Sequence, residues 1–112
     1  MRDNTKPQYA QAIRDMLGLV KVVDVRATVD PASVAAEGTG ETTVTATGAL
    51  LGDFVLWGVE TKILNVNAAI TVYVSAADTV SIQLSNNTVA AGAAIDLASA
   101  SWQFTVLRRS GT

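Results

Sequence analysis

The chain contains no cysteine, so neither disulfides nor thiolate metal sites are open to it, and its fold has to hold by packing alone. Histidine is absent as well, which removes the commonest general base, the commonest metal ligand and the usual pH switch together. Aromatic residues are only 5% of the chain. Its apolar content is therefore mostly Val and Ala, which suit pleated, half-buried surfaces and thin cores better than large cavities. No apolar run approaches the ~20 residues that span a bilayer, and the opening Met-Arg-Asp-Asn-Thr-Lys-Pro lacks the apolar core of a signal peptide. These absences predict a soluble protein made in the cytoplasm, with no membrane partner, no metal and no cofactor, and they make catalysis an uphill reading.

What is present belongs to one folded body with an appendage. The chain has 112 residues, 49% hydrophobic and 16% charged, enough for a single core and far from the signature of disorder. Charge is uneven. Residues 1–26 hold five Lys/Arg against three Asp, while the remainder holds three basic residues against seven acids. The basic start hints at an acidic partner surface or is an ordinary solvated helix, and it is too weak for a nucleic-acid tract.

Residues 7–17, PQYAQAIRDML, place Tyr9, Ala12, Ile13, Met16 and Leu17 at helical spacing, with Pro7 suited to a first turn and Gly18 to a stop. So short a helix is marginal in water and has to dock on its own β-body, a sister chain or a larger assembly. From Val23 the period becomes two: Val23, Val25, Ala27 and Val29 share one side, and Asp24, Arg26, Thr28 and Asp30 the other. Asp30-Pro31 ends this strand, and a second follows through Thr42, Val44 and Ala46 at hairpin-like spacing.

Gly52 to Glu60 is apolar on both faces, because Phe54 and Leu56 oppose Val55, Trp57 and Val59. Such a strand is expected to be covered twice, by an opposing sheet and by a loop, the helix or a subunit contact. Ile63–Val66 supplies a short run and Ile70–Val74 a firmer one. Val72 and Val74 then close the same core face as Val80, Ile82 and Leu84, and Trp102, Phe104 and Val106 share one side of the final run. Six to eight short strands separated by turns predict a mainly β fold, an antiparallel sandwich or small barrel. Residues 1–22 read as an N-terminal arm and residues 23–112 as the β domain.

Candidate chemistry is sparse. Asp30, Asp53, Asp78 and Asp96 sit at strand edges or turns, where carboxylates commonly accept backbone N–H groups; no spaced acidic loop organises them for Ca²⁺. No phosphate-loop motif occurs, and Gly38-Thr39-Gly40 lacks the strand-then-helix context. A hydrolase working with Glu37, Glu41, Glu60 or Asp53 would need two carboxylates in one cleft. Trp57 and Trp102 offer broad indole faces for a sugar, although Trp102 is expected in the core. Arg108 and Arg109 either anchor a carboxylate or keep a terminal strand soluble, the second being expected.

Three segments, DPASVAAEGTGETTVTATGALLGDFVL, YVSAADTVSIQLSNNT and AIDLASASWQFTVLR, together resemble small β-rich virion proteins of tailed bacteriophages, described as capsid decoration, cement, head-fibre or tail-fibre-like proteins. The resemblance spans about Val29 to Arg108; Trp57 to Ala69 departs from it. It implies a β-sandwich or jelly-roll-like module, a homotrimer on the outer capsid surface whose partner is the major capsid protein. The N-terminal arm would then make coat or sister-chain contacts through Tyr9, Ile13, Met16 and Leu17, with Arg2, Lys6 and Arg14 at the rim. The competing expectation is a fibre or adhesin module that binds a host glycan through Trp57 or its hairpin loops.

Overall fold

Alternating apolar and polar residues, with little to support a helix beyond residue 18, resolve into six strands. A computed structural model describes residues 18–60, 67–88 and 93–110. The strands are β1 (Leu19–Val29), β2 (Thr39–Thr45), β3 (Phe54–Val59), β4 (Ala68–Ala76), β5 (Thr79–Asn86) and β6 (Ala100–Arg109). They form two antiparallel three-stranded sheets, ordered β1-β6-β3 and β2-β5-β4. The helix expected over 7–17 and the short run Ile63–Val66 lie outside the described residues.

The core is assembled from one face of each sheet. Trp102, Phe104 and Val106 of β6 and Val29 of β1 share a buried cluster with Val74 of β4 and Val80 and Ile82 of β5. Register explains the match on the second sheet, since Val74 pairs with Val80, Val72 with Ile82 and Ile70 with Leu84, and directly opposed residues share a face. A satellite cluster of Val34, Leu84 and Ile95 closes one end. There the linkers on either side are joined by a backbone bridge between Val34 and Ile95. Buried Asn86 reinforces that end, its amide donating to the carbonyls of Val34 and Ala93, both at 2.9 Å, while its side-chain oxygen accepts from Thr88 N–H.

Two expectations change. β1 begins at Leu19 rather than Val23, because a bulge between Lys21 and Val23 resets the alternation. A strict period of two counted back from Val23 cannot cross such an extra residue. The hairpin-like spacing of the first two strands does not produce a hairpin either. β1 pairs with β6 and β2 with β5, since the linker between them carries buried Pro31 and Val34 across to the other sheet.

Candidate functional site

The turn before β3 combines tight restraint with apolar exposure. Ala46 to Asp53, ATGALLGD, begins at the buried end of β2 and must reverse into β3. Gly48 (φ +98°) and Gly52 (φ +93°) supply the left-handed backbone this reversal needs. Gly52 is the third residue of a turn closed by Asp53 N–H donating to the Leu50 carbonyl at 3.0 Å, the position where such turns require positive φ.

Two outside elements hold the turn. Asp78, at the reversal between β4 and β5 and itself left-handed (φ +62°), accepts Gly48 N–H at 2.7 Å on its carboxylate and Ala46 N–H at 2.8 Å on its carbonyl. Its own N–H donates to the Ala49 carbonyl at 2.8 Å. From β6, Arg108 grips the other half: Nε and Nη2 donate to the two oxygens of Asp53 at 2.9 and 2.8 Å, and Nη2 also reaches the Gly48 carbonyl at 2.9 Å. Asp53 in turn accepts Leu50 N–H at 2.9 Å.

The Asp53 side chain is only 5% exposed and that of Arg108 37%. Hydrogen bonds from Arg108 hold the Asp53 carboxyl below the usual carboxylate range against the opposing effect of burial, with help from Leu50 N–H. The same pairing raises Arg108. The expectation that Arg108 merely keeps a terminal strand soluble is therefore corrected: it anchors a carboxylate in forked geometry. Asp53 and Asp78 do accept backbone N–H groups, as turn aspartates were expected to.

What this clamp presents is hydrocarbon. Leu50, Leu51, Phe54 and Leu56 are 50, 71, 47 and 62% exposed. β3 is paired only with β6 among the described residues, and its faces differ. Val55 and Val59 pack on the core, whereas Phe54 and Leu56 face outward. The expected second cover of this strand is absent among the described residues. Beside Leu56 the outer face turns polar: Thr105 donates to Asp24 at 2.8 Å, and Arg26 reaches both Glu60 (3.0 Å) and Gln103 (3.1 Å). A shallow recess of about 550 Å³ lies here, lined by Asp24, Arg26, Leu56, Gln103 and Thr105 among others. Lys21 and Thr105 lower the Asp24 carboxyl by hydrogen bonding to it.

Of the residues expected to contact a partner, Trp57 is the one the structure describes. It remains 40% exposed and stacks on buried Trp102 with ring centroids 5.3 Å apart and planes 18° apart. Trp102 in turn stacks on Phe104 at 6.3 Å, so it has the expected core role. Arg2, Lys6, Tyr9, Ile13, Arg14, Met16 and Leu17 lie outside the described residues. The candidate carboxylates do not gather. Asp53 is tied to Arg108, Glu60 to Arg26 and Glu41 to the Tyr73 hydroxyl. Asp53 and Glu60 also flank the two ends of β3, roughly 20 Å apart along an extended strand. Compared with protein-family models, with curated proteins and with solved structures, the chain has no match in any of the three.

Proposed function

We propose that this chain is a non-enzymatic structural protein of a tailed-phage virion, a decoration or cement protein that joins other protein surfaces. In this reading the two sheets form a β-sandwich of jelly-roll-like character. The protein is made in the host cytoplasm and assembles as a homotrimer, which binds the major capsid protein on the outer face of the head and stabilises the shell. The sequence resemblance supplies the setting. The observation that carries the adhesive part is the clamped turn, which holds Leu50 and Leu51 outward next to Phe54 and Leu56. A rigid loop loses little conformational freedom on docking, so more of its contact energy survives as affinity.

The magnitude favours many weak contacts acting together. The four side chains offer roughly 400 Å² of exposed surface on ordinary side-chain areas, or about 10 kcal/mol of gross transfer free energy at ~25 cal/mol per Å². Association costs of ~4–15 kcal/mol offset most of that. One such surface is marginal alone, whereas equivalent contacts that join the copies of a trimer act together, and the trimer then meets the shell with three copies of its remaining outer surface and gains by avidity. Shell binding then stabilises the shell by linkage. Adding the purified protein to bare expanded heads tests this: bound protein and a raised shell melting temperature are expected, and no binding with unchanged melting refutes it.

A fibre or adhesin module is the second reading, favoured by Trp57. An indole stacked on one side against Trp102 and still 40% exposed is held in a fixed plane where a sugar ring can lie on it. Glycan-array binding that disappears in Trp57→Ala would select this reading over the first.

A further inference from the structure

The apolar surface of the clamped turn and β3 carries one more step: the identity of what covers it. We infer that the occupant is a second copy of this chain, and that Leu50, Leu51, Phe54 and Leu56 form the centre of the contact between copies. The inference rests on the reading of this surface as adhesive and is independent of whether the assembled protein binds a phage shell.

Charge is the first argument. A surface that meets its own copies around a two-fold or three-fold axis brings identical groups close together, so unpaired like charges there would repel. From Ala49 to Val59 the only charged side chain is Asp53, and it is turned inward, 5% exposed and neutralised by Arg108. The stretch thus meets a copy of itself without repulsion. Elsewhere the sheet carries the charged groups Lys21, Asp24, Arg26 and Glu60 on its surface.

Edge design is the second. Folded proteins guard sheet edges with charges, proline or bulges. β1 has Lys21, Asp24 and Arg26 together with its bulge, and β4 has a register shift between Val74 and Ala76. β3 has none of these devices: FVLWGV is uncharged, free of proline and paired without a register shift. Among the described residues nothing pairs with the free side of β3, and an edge of that composition is suited to an intended contact.

Area is the third. The four outward residues together offer roughly 400 Å² of exposed side chain, about half of the ~800 Å² that each partner contributes to a stable interface of standard size. That is the share expected of an interface centre, with a polar rim supplied by neighbours such as Gln103 and Thr105.

The test is the solution mass of the full chain by light scattering and sedimentation, from ~1 to ~100 μM. A multiple of 11.6 kDa is expected for the wild type, with Leu51→Glu/Leu56→Glu reduced to the monomer mass or its dissociation constant raised ~100-fold or more. Thr43→Glu, on an exposed position of the opposite sheet, should leave the mass unchanged. If the double variant fails to fold, as judged by the melting of its tryptophan signal, Leu51→Glu alone serves, since that side chain stands at the turn tip. A monomeric wild type overturns the inference, as does a folded variant of unchanged mass. A monomer whose residues 50–56 exchange amide hydrogens slowly until residues 1–17 are deleted would also overturn it, by assigning the surface to the chain's own N-terminal segment. An oligomer that breaks up as expected but does not bind shells would sustain this inference and refute the shell-binding reading.

Discussion

Removing either half of the Asp53–Arg108 clamp should have unequal consequences. In Asp53→Asn the guanidinium loses its counter-charge but, being 37% exposed, it can turn to water. With the surviving amide contacts, the expected loss is about 1–2 kcal/mol. In Arg108→Ala the carboxylate stays behind, 5% exposed, with Leu50 N–H as its remaining donor. Stranding a buried charge costs ~3–5 kcal/mol in fully enclosed sites. The open side of this pair lowers the expectation to about 3 kcal/mol, or roughly a 10 °C fall in melting temperature for a domain of this size.

The pH dependence separates this account from simple loss of packing. Asp53 is held below its ordinary value of 3.8 in the folded protein. Its contribution is therefore complete above that value and is lost as pH falls through the lower folded one. Wild-type stability should change little through Asp53 between pH 7 and 5 and drop below about pH 4. In Arg108→Ala the largest cause of that lowering is gone, so the loss below about pH 4 should be smaller and the variant should gain stability relative to wild type as the medium is acidified. Urea denaturation at several pH values, with the double variant closing the cycle, measures each quantity. An Arg108→Ala penalty no larger than that of Asp53→Asn at pH 7, or one independent of pH, would refute the reasoning.

Trp102→Ala should destabilise by about 3–5 kcal/mol in urea titrations, and Trp57→Ala by about half as much, because only Trp102 is fully enclosed. Asn86→Ala should cost about 2 kcal/mol by leaving the Ala93 carbonyl and the Thr88 N–H without this partner, while the Val34 carbonyl keeps Ile95 N–H; thermal melting reads this directly. Gly48→Ala places a side chain at φ +98° with its Cβ 3.4 Å from Val22 Cγ1, and a loss of about 1–2 kcal/mol is expected by the same assay.

Period-two alternation made the β4–β5 hairpin and the inward side of β6 readable, because each is a local property of pattern and register. The bulge in β1 interrupted the pattern and concealed its first residues. The pairing of β1 with β6 was not legible from spacing alone, since the two strands are separated by most of the chain. Arg108 and Asp53 are 55 positions apart, and nothing in a single sequence links a turn aspartate to an arginine that far downstream. FVLWGV was recognisable as apolar on both sides. Whether its outer side meets protein or water depends on what packs there, and that lies beyond the chain's own pattern.

The order of strands has a consequence for synthesis. β6 is the central member of its sheet, flanked by β1 and β3, yet of the six described strands it is the last to be synthesised. Until Ala100–Arg109 emerges, β1 and β3 lack the strand that pairs with both, while the β4–β5 hairpin can already close and β2 can add to it. A nascent chain arrested before that point would expose FVLWGV as an unmated ribbon, and its exposure to stray pairing or chaperone capture ends only when the final strand slides in between.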